Sequence, residues 1–271
     1  MAHNLNNIIV DRVLRGIFTD KNDNIIFSLN QIQDLSLNQT SESQEVQDAF
    51  GVSIAELMRS KALEASANNA IYDFGLLAAQ YGTTKTEKGT KLVVPTMESF
   101  EVTEDSKEWK LKNTPAKAPV AIYELNGDST LGAKHEKATA AAAPTDDANA
   151  KFSYADGAIT LYDTLPAGTE MFVMYEYETE NAIEVVNKAN EFAKLGKMTF
   201  EILAYDVCDP ETKLYGYLIL PKFQLSNDFD WSIGGDSQQH AFSGKALVDY
   251  CSKDKKMCRV VIVDDEDEDA E

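Results

Sequence analysis

Short runs in which hydrophobic and polar residues alternate are spread along most of the chain, and this period of two is typical of half-buried β-strands. Near the N-terminus Phe27 and Leu29 alternate with polar neighbours, and Leu35 and Leu37 repeat the pattern. Further strand-forming runs occupy residues 91–94, 120–125, 158–162, 171–179, 198–207, 215–221, 240–250 and 258–263. The chain is therefore predicted to be mainly β.

The residues between 38 and 82 give a different pattern. Residues 38–51 are polar and end at Gly51, which predicts a loop. Residues 52–82 are rich in Ala, Glu and Leu and carry apolar residues at helical spacing from Ile54 to Leu63, so propensity alone favours a helix. A stronger helix prediction follows, with Asn68 or Asn69 as N-cap and Gly82 as the C-terminal stop. The buried face of this helix is predicted to consist of Ile71, Phe74, Leu77 and Ala78.

Residues 116–180 are predicted to form a separate small β module. Strand-forming runs there surround a low-complexity stretch at residues 138–150, which is predicted to be a surface loop. The dipeptide Asp156-Gly157 has the chemistry of a hairpin turn. The predicted organisation is a discontinuous main domain of residues 1–115 and 181–263, an inserted domain of residues 116–180, and a disordered acidic tail of residues 264–271.

Charge and hydropathy restrict the partners. The 271 residues include 45 acids and 25 bases, a formal net charge of -20. Such a surface repels phosphates over roughly one Debye length, about 8–10 Å, whereas a specific DNA or RNA reader is expected to be basic. No apolar run approaches the roughly 20 residues of a membrane span, and residues 1–10 lack a signal-peptide pattern. Neither tight nucleic-acid binding nor a membrane partner is expected.

The candidate reactive residues do not form a recognisable site. The sequence has three cysteines, Cys208, Cys251 and Cys258, and no two of them form a CxxC pair. Their spacing therefore indicates neither a disulfide framework nor a closed zinc site. His240 and Cys251 form a formal nucleophile pair that no spacing supports, while His3 and His135 lie far away in sequence. No nucleotide-binding, zinc-protease or serine-hydrolase motif is present.

Two further features have both a structural and a functional interpretation. The acidic tail lacks the glycine that a calcium-binding turn needs, and Trp231 is interpreted as a core or interface residue. Tyr175 and Tyr177 are compatible with a carbohydrate-binding face, although such residues are more often core and cross-strand partners. We therefore expect no catalytic, cofactor-binding or metal residues, no cofactor and no enzymatic activity.

Several segments, taken together and in order, resemble the tail tube or major tail proteins of tailed bacteriophages. They include IFSLNQIQDLSLN near the start, VMYEYETE in the middle and LILPKFQLSNDFD towards the end. The complete set covers most of the chain and comprises residues 26–38, 59–83, 121–132, 152–161, 172–180, 191–209, 217–230 and 240–251.

The resemblance implies a mainly β (α+β) fold. Two packed antiparallel β-sheets would form a tail-tube-like barrel or sandwich with one helix, and the small inserted β domain would be a departure from the minimal tube fold. The resemblance also favours a strand over a helix for about residues 54–65.

The function that the resemblance implies is that of a structural virion protein, made in the cytoplasm of a bacterial host. Hexameric rings would stack into the tail tube, and DNA would pass through without specific binding. Exposed strand edges of neighbouring copies would pair, acidic side chains would line the lumen, and residues 38–51 would reach the next ring. Partners would be copies of the chain and tape-measure, tail terminator, distal tail or sheath proteins. The alternatives are another virion protein, such as a head decoration protein, and a monomeric carbohydrate- or ligand-binding β-sandwich.

Overall fold

The computed structural model describes residues 5, 7–104, 108–138, 151–162, 165–208, 211–230, 239–248, 250 and 253–263. This part of the chain is mainly β with one helix, and the predicted fold class is confirmed. Every run predicted to be a strand overlaps an observed strand. The predictions for residues 139–150, Trp231, His3, Cys251 and the tail 264–271 fall outside the described residues.

The described elements are fifteen strands and one helix. In chain order they are β1 (Ile8–Thr19), β2 (Ile25–Leu29), β3 (Ile32–Gln47), β4 (Ser53–Asn69), α1 (Phe74–Tyr81), β5 (Leu92–Glu101), β6 (Glu108–Lys110), β7 (Ala121–Leu125), β8 (Leu131–Lys137), β9 (Lys151–Ala155), β10 (Ala158–Leu161), β11 (Glu170–Thr179), β12 (Leu195–Asp206), β13 (Lys213–Leu225), β14 (His240–Ala246) and β15 (Arg259–Val263). The chain divides into two compact units, one made of residues 1–85 and 184–271 and the other of residues 86–183.

The first unit contains a sheet of eight strands in the order β2-β1-β12-β13-β14-β4-β3, with β15 paired to β13. Strands β2 and β3 lie at opposite ends of this order, yet only Asn30 and Gln31 separate them in sequence. A flat sheet would hold these strands about 29 Å apart at roughly 4.8 Å per spacing, whereas the three peptide steps from Leu29 to Ile32 reach at most about 11 Å. The sheet must therefore curl until its two ends come together.

The concave side of the curled sheet holds the core of the first unit. Side chains from seven strands meet there, and each large one contributes roughly 1.5–3 kcal/mol by leaving water. The completely buried members that lie on the strands are Phe18, Met198, Phe200, Leu220 and Phe223. Pro221 lies in β13 where the pairing with β12 shifts register between Gly196 and Met198, a position that tolerates the missing N–H.

Helix α1 is shorter than predicted and packs into the same core through Leu76 and Ala79. Its N-cap is Asp73, whose Oδ1 accepts the Leu76 N–H at 2.7 Å, and not Asn68 or Asn69, because those residues are paired in β4. The predicted stop at Gly82 is confirmed, with φ of 78°. The predicted burial of Leu77 and Ala78 is confirmed, but Ile71 and Phe74 are exposed because the helix begins only at Phe74.

The loop predicted at residues 38–51 is wrong for residues 38–47, which continue β3 and pair with β4 as far as Gln47 and Ser53. The preference for strand at residues 54–65 is confirmed by β4. Beyond residue 36 in β3 and before residue 63 in β4 every residue is exposed, so the hairpin leaves the sheet as a two-stranded arm. The sequence shows no alternation in this stretch because neither face of the arm is buried.

The second unit contains a seven-stranded sheet in the order β5-β11-β7-β8-β9-β10-β6. All its pairs are antiparallel except β8 with β9. The hairpin turn predicted at Asp156-Gly157 is confirmed, with φ values of 51° and 84°. Residues 86–115, which the sequence suggested were part of the main domain, lie in this unit because β5 pairs with β11 along its whole length.

A buried polar contact ties the second unit together across β5 and β11. The Tyr175 hydroxyl donates to Glu98 Oε1, and both side chains are almost completely buried. The Lys112 N–H donates to Glu98 at 3.2 Å and the Asn113 N–H to the Tyr175 hydroxyl at 3.1 Å, so the segment after β6 is held against the sheet. Burial, followed by the contact with Glu98, raises the pKa of Tyr175.

Replacing Gly82 tests how much the end of α1 depends on a residue without a side chain. The Gly82→Ala substitution is expected to lower the free energy of unfolding by about 3 kcal/mol, because it adds left-handed strain and a collision with the Phe192 backbone. Gly51→Ala is the matched control, since Gly51 has a similar φ of 81° but no atom within 4 Å of the added Cβ. It is expected to cost about 1 kcal/mol. Equal losses in chemical denaturation would contradict the collision.

Candidate assembly surface

The first unit has a four-stranded section whose two borders are both open. Here β1 pairs with β12, β12 with β13, and β13 with β15. Strand β2 covers β1 only from Gly16 to Thr19, so residues 8–15 have no partner on that side among the described strands. Strand β15 likewise has β13 as its one described partner. Backbone N–H and C=O groups along both borders are therefore available to another chain.

The directions of these strands make the two borders complementary. Each neighbouring pair in the section is antiparallel, so β1 and β15 run in opposite directions. A β15 placed beside the β1 of another copy would extend the sheet as an antiparallel pair. The two borders lie on opposite sides of the section, so this contact is heterologous and repeats from copy to copy.

One of the two border strands of the second unit, β5, differs from these two. Strand β5 ends the seven-stranded sheet, but it carries Pro95 near its middle. Proline has no N–H to donate, and proline on an edge strand discourages pairing with other chains. The open stretch of β1 and the whole of β15 contain no proline. The sequence thus blocks the β5 border, whereas the open borders of β1 and β15 contain no proline and are able to pair.

The arm is the second feature that lacks packing within its own unit. Its ten steps from Leu37 to Gln47 correspond to roughly 34 Å, and isolated two-stranded ribbons are marginally stable in water. Asp48 organises the tip, because its Oδ1 accepts the Phe50 and Val52 N–H groups, each at 2.9 Å. This turn leaves Phe50 91% exposed, with apolar neighbours that are also exposed. These neighbours are Val46, Val52, Ile54, Leu57 and Met58.

His240, considered in the sequence as a nucleophile partner, instead anchors α1. It is completely buried, with Nε2 2.9 Å from Gln80 Oε1 and Nδ1 3.5 Å from the Asp73 backbone nitrogen. Gln80 Nε2 donates to the Ala241 carbonyl at 3.0 Å. Burial lowers the pKa of His240, and the opposing effect of Asp73 is smaller. The ring is therefore neutral at pH 7, with Nδ1 accepting and Nε2–H donating.

The other residues singled out in the sequence are scattered. His135 is buried in the second unit, with Nε2 2.8 Å from Glu124 Oε1. Cys208 is exposed and Cys258 is partly buried, both unpaired. Tyr175 is 5% exposed and Tyr177 packs against the same core, so they are core residues rather than a carbohydrate-binding face. The described residues contain no group of three or more His, Cys, Asp or Glu side chains placed to hold a metal ion.

A model of the YomU/Tube protein family matches residues 7–260. The chain belongs to the YomU/Tube protein family. As a member of a phage tube-type family it is a tube-like structural protein and a component of the virion.

The comparison with curated proteins is negative, since none matches the sequence. Within the described residues, no helix of this tube-family member is both long and apolar enough to cross a membrane.

The sequence analysis missed β1, which supplies one of the two open borders. The strand shifts register against β12 between Val10 and Arg12 and again between Val13 and Arg15. Each shift inserts a residue and reverses which face the next side chains occupy. The alternation is therefore interrupted, and the remaining signal was the enrichment in Ile and Val between residues 8 and 18.

The environment of His240 predicts a pH effect on stability. Its folded pKa is lowered from 6.5, so the unfolded chain takes up the proton more readily. The stability that neutral His240 contributes is complete above about pH 6.5 and is lost as the pH falls below it. The difference in unfolding free energy between the wild type and His240→Gln is expected to shrink between about pH 7.5 and about pH 5.5. The wild type and the His240→Gln variant share every other titrating group. A difference in unfolding free energy that does not change with pH would contradict a neutral His240 in the folded protein.

Proposed function

We propose that this tube-family protein is a non-enzymatic subunit that assembles through its open strand borders into rings. The rings stack into a phage tail tube through which DNA passes without sequence-specific binding. The observation that carries the proposal is the pair of open, antiparallel-compatible borders at β1 and β15. Six copies, the number that the resemblance to tail tube proteins implies, would close about 24 strands into one wall.

The free energy of border pairing alone is too small to drive assembly. Five paired residues along β15 give about five backbone hydrogen bonds, worth together roughly 3–7 kcal/mol. Association costs an estimated 4–15 kcal/mol in lost freedom. Burial of the exposed Ile9, Val10 and Val260 side chains beside the borders adds to the favourable side. Ring closure and stacking would supply the remainder.

The arm is the proposed stacking element. It is long, exposed on both faces and apolar at its tip, so it has the most to gain from a partner. We place its contact on a copy in the next ring. At the ends of the tube, tape-measure, terminator, distal tail or sheath proteins are the proposed partners in place of another copy.

Proline in β15 tests the border contact. N–H groups along an antiparallel strand point alternately to one neighbour and the other, so of Val260→Pro and Val261→Pro one removes an outward N–H only. That variant is expected to keep its circular dichroism spectrum and melting temperature while losing rings in negative-stain microscopy and sedimentation velocity.

The corresponding pair Val93→Pro and Val94→Pro in β5 is the control. Because Pro95 already blocks that border, the variant of this pair that keeps its fold is expected to assemble normally. Rings formed as readily by both folded β15 variants as by the wild type would overturn the border contact.

The arm tip is tested by Phe50→Ser. Since Phe50 is 91% exposed, the subunit is expected to keep its melting temperature within about 1–2 °C. Rings are expected to form but to stack into tubes at least tenfold less, measured as tube length per ring by microscopy. Val120→Ser, at a side chain 81% exposed in the second unit, is the matched control. Tubes of normal length from the Phe50 variant would exclude this role for the tip.

A further inference from the structure

The strand register places the tip of the arm far from the turn that joins β1 to β2. Leu63, where the arm meets the sheet, pairs with Ala246, and Ala246 pairs with Phe223. Phe223 pairs in turn with Gly196, so the beginning of β12 lies level with the base of the arm. Strand β4 starts at Ser53, ten residues before Leu63, which puts the tip roughly 34 Å further along the strands.

A cleft of about 560 Å³ lies at the beginning of β12, on the side of the sheet that faces away from the core. Met198 points into the core, so Lys197 and Leu195 point away from it. We call this site the base cleft, and its lining includes Lys21, Asp23, Leu195, Lys197, Pro221 and Lys222. Sites that hold small ligands have volumes of roughly 300–1,000 Å³. The base cleft therefore has room for one large aromatic side chain and the residues beside it.

Apolar surface is available inside the base cleft. Leu195 is 44% exposed and Pro221 is also exposed, although both belong to paired strands. Pro221 lies at the register shift of β13 against β12, and such a bulge changes the direction of local side chains. The aliphatic stems of Lys197 and Lys222 add to this surface. A partner that removes it from water would gain free energy.

The turn between β1 and β2 forms one wall of the base cleft and is held by its own hydrogen bonds. Asp20 Oδ1 accepts the Asn22 N–H at 2.7 Å and the Asn24 N–H at 2.9 Å. Lys197 Nζ lies 3.2 Å from Asp23 Oδ1 and connects the turn to β12. A wall that is ordered before binding loses little conformational freedom when a partner arrives.

The arm tip has the chemistry that the base cleft can accept. Phe50 is 91% exposed, and a large aromatic side chain inserted into a pocket is a common anchor of protein interfaces. Glu45 lies directly opposite Glu56 in the arm, and like charges in this arrangement destabilise a strand pair. Residues 42–58 contain four acids and no base, so no cation of the tip relieves this repulsion.

Lysines of the base cleft complement the acids of the tip. Within the described residues Lys197 is paired with Asp23, whereas Lys21 and Lys222 form no ion pair. An ammonium group beside Glu45 and Glu56 would reduce the repulsion between these two carboxylates. Opposite charges across an interface give specificity and speed more than affinity, so the apolar contact is expected to supply most of the affinity.

We propose that the base cleft binds the arm tip of a second copy of this chain, with Phe50 against Leu195 and Pro221. The inference rests on the proposed function, because it names the site on the next ring that the arm reaches. The tip and the base cleft of one copy lie roughly 34 Å apart along the strands, so the contact joins two copies. It is heterologous, and it therefore repeats from ring to ring in one direction.

This arrangement makes the two ends of a stack chemically different. One end would carry free arm tips and the other end free base clefts. Rings would be added at either end through the same contact, and two stacks could join only head to tail.

The first test replaces Leu195 by a charged residue. Leu195→Asp is expected to form rings with an unchanged melting temperature but to shorten tubes at least tenfold, measured as tube length per ring by negative-stain microscopy. Val186→Asp is the matched control, since Val186 is also 44% exposed and does not line the base cleft. It is expected to stack as the wild type does. Tubes of normal length from Leu195→Asp would overturn the inference.

The second test mixes two kinds of purified ring. Phe50→Ser rings keep their base clefts, and Leu195→Asp rings keep their arm tips. Alone, neither kind is expected to stack. Mixed, they are expected to form pairs of rings and nothing longer, because each pair has one working contact inside it and none outside. A mixture that remains as single rings would contradict a contact between tip and base cleft.

The third test needs no rings and separates this inference from the proposed function. A photoreactive benzophenone amino acid in place of Phe50, in the full chain mixed with an isotope-labelled copy, is expected to crosslink residues 195–197 or 221–222 of the other copy. Crosslinks from tip to tip, or to any other surface alone, would overturn the inference, as would their absence. Crosslinks at the base cleft without rings would refute the proposed function and leave this contact standing.

Discussion

The two-residue link between β2 and β3 is the constraint on which the first unit depends. It joins strands at opposite ends of the strand order, and a chain so short cannot cross a flat sheet of this width. The backbone connection alone therefore requires a curved sheet, whatever side chains it carries. Curvature creates the concave side that Phe18, Phe200 and Phe223 fill, and α1 packs into that core.

The same constraint determines where the sheet stays open. Closing the β2 and β3 ends brings together one pair of borders, but it leaves the outer sides of β15 and of the stretch of β1 before Gly16 without a described partner. The fold thus protects some edges by geometry and one, β5, by proline. The open borders of β1 and β15 have defined and opposite directions, which favours one mode of association between them.

Much of the fold was predictable because one-sided burial leaves a period of two in the sequence. Strands β11 and β13, each with a buried and a more open face, were predicted on this basis. The signal failed in the arm, whose two faces are both exposed, and in β1, whose register shifts twice. At residues 53–69 helical propensity was overruled by pairing with β3 and β14, and here resemblance to tail tube proteins gave the correct prediction.

The polar contacts that hold α1 were also hidden from sequence. Gln80 and His240 are separated by 160 residues, and nothing in the local pattern connects them. Their contact needs the order of β14 and β4 in the sheet, which no periodicity specifies. Hydrogen-bond partners of this kind become visible only once strand order is known.

The arm and the sheet share β4 as one continuous strand, and this has a mechanical consequence. Residues 63–69 of β4 are paired with all seven residues of β14. A force applied along the arm would load this ladder lengthwise, so that its hydrogen bonds share the tension rather than breaking one after another. An attachment made at Phe50 would therefore transmit tension to the body of the subunit through all the hydrogen bonds between β4 and β14 at once.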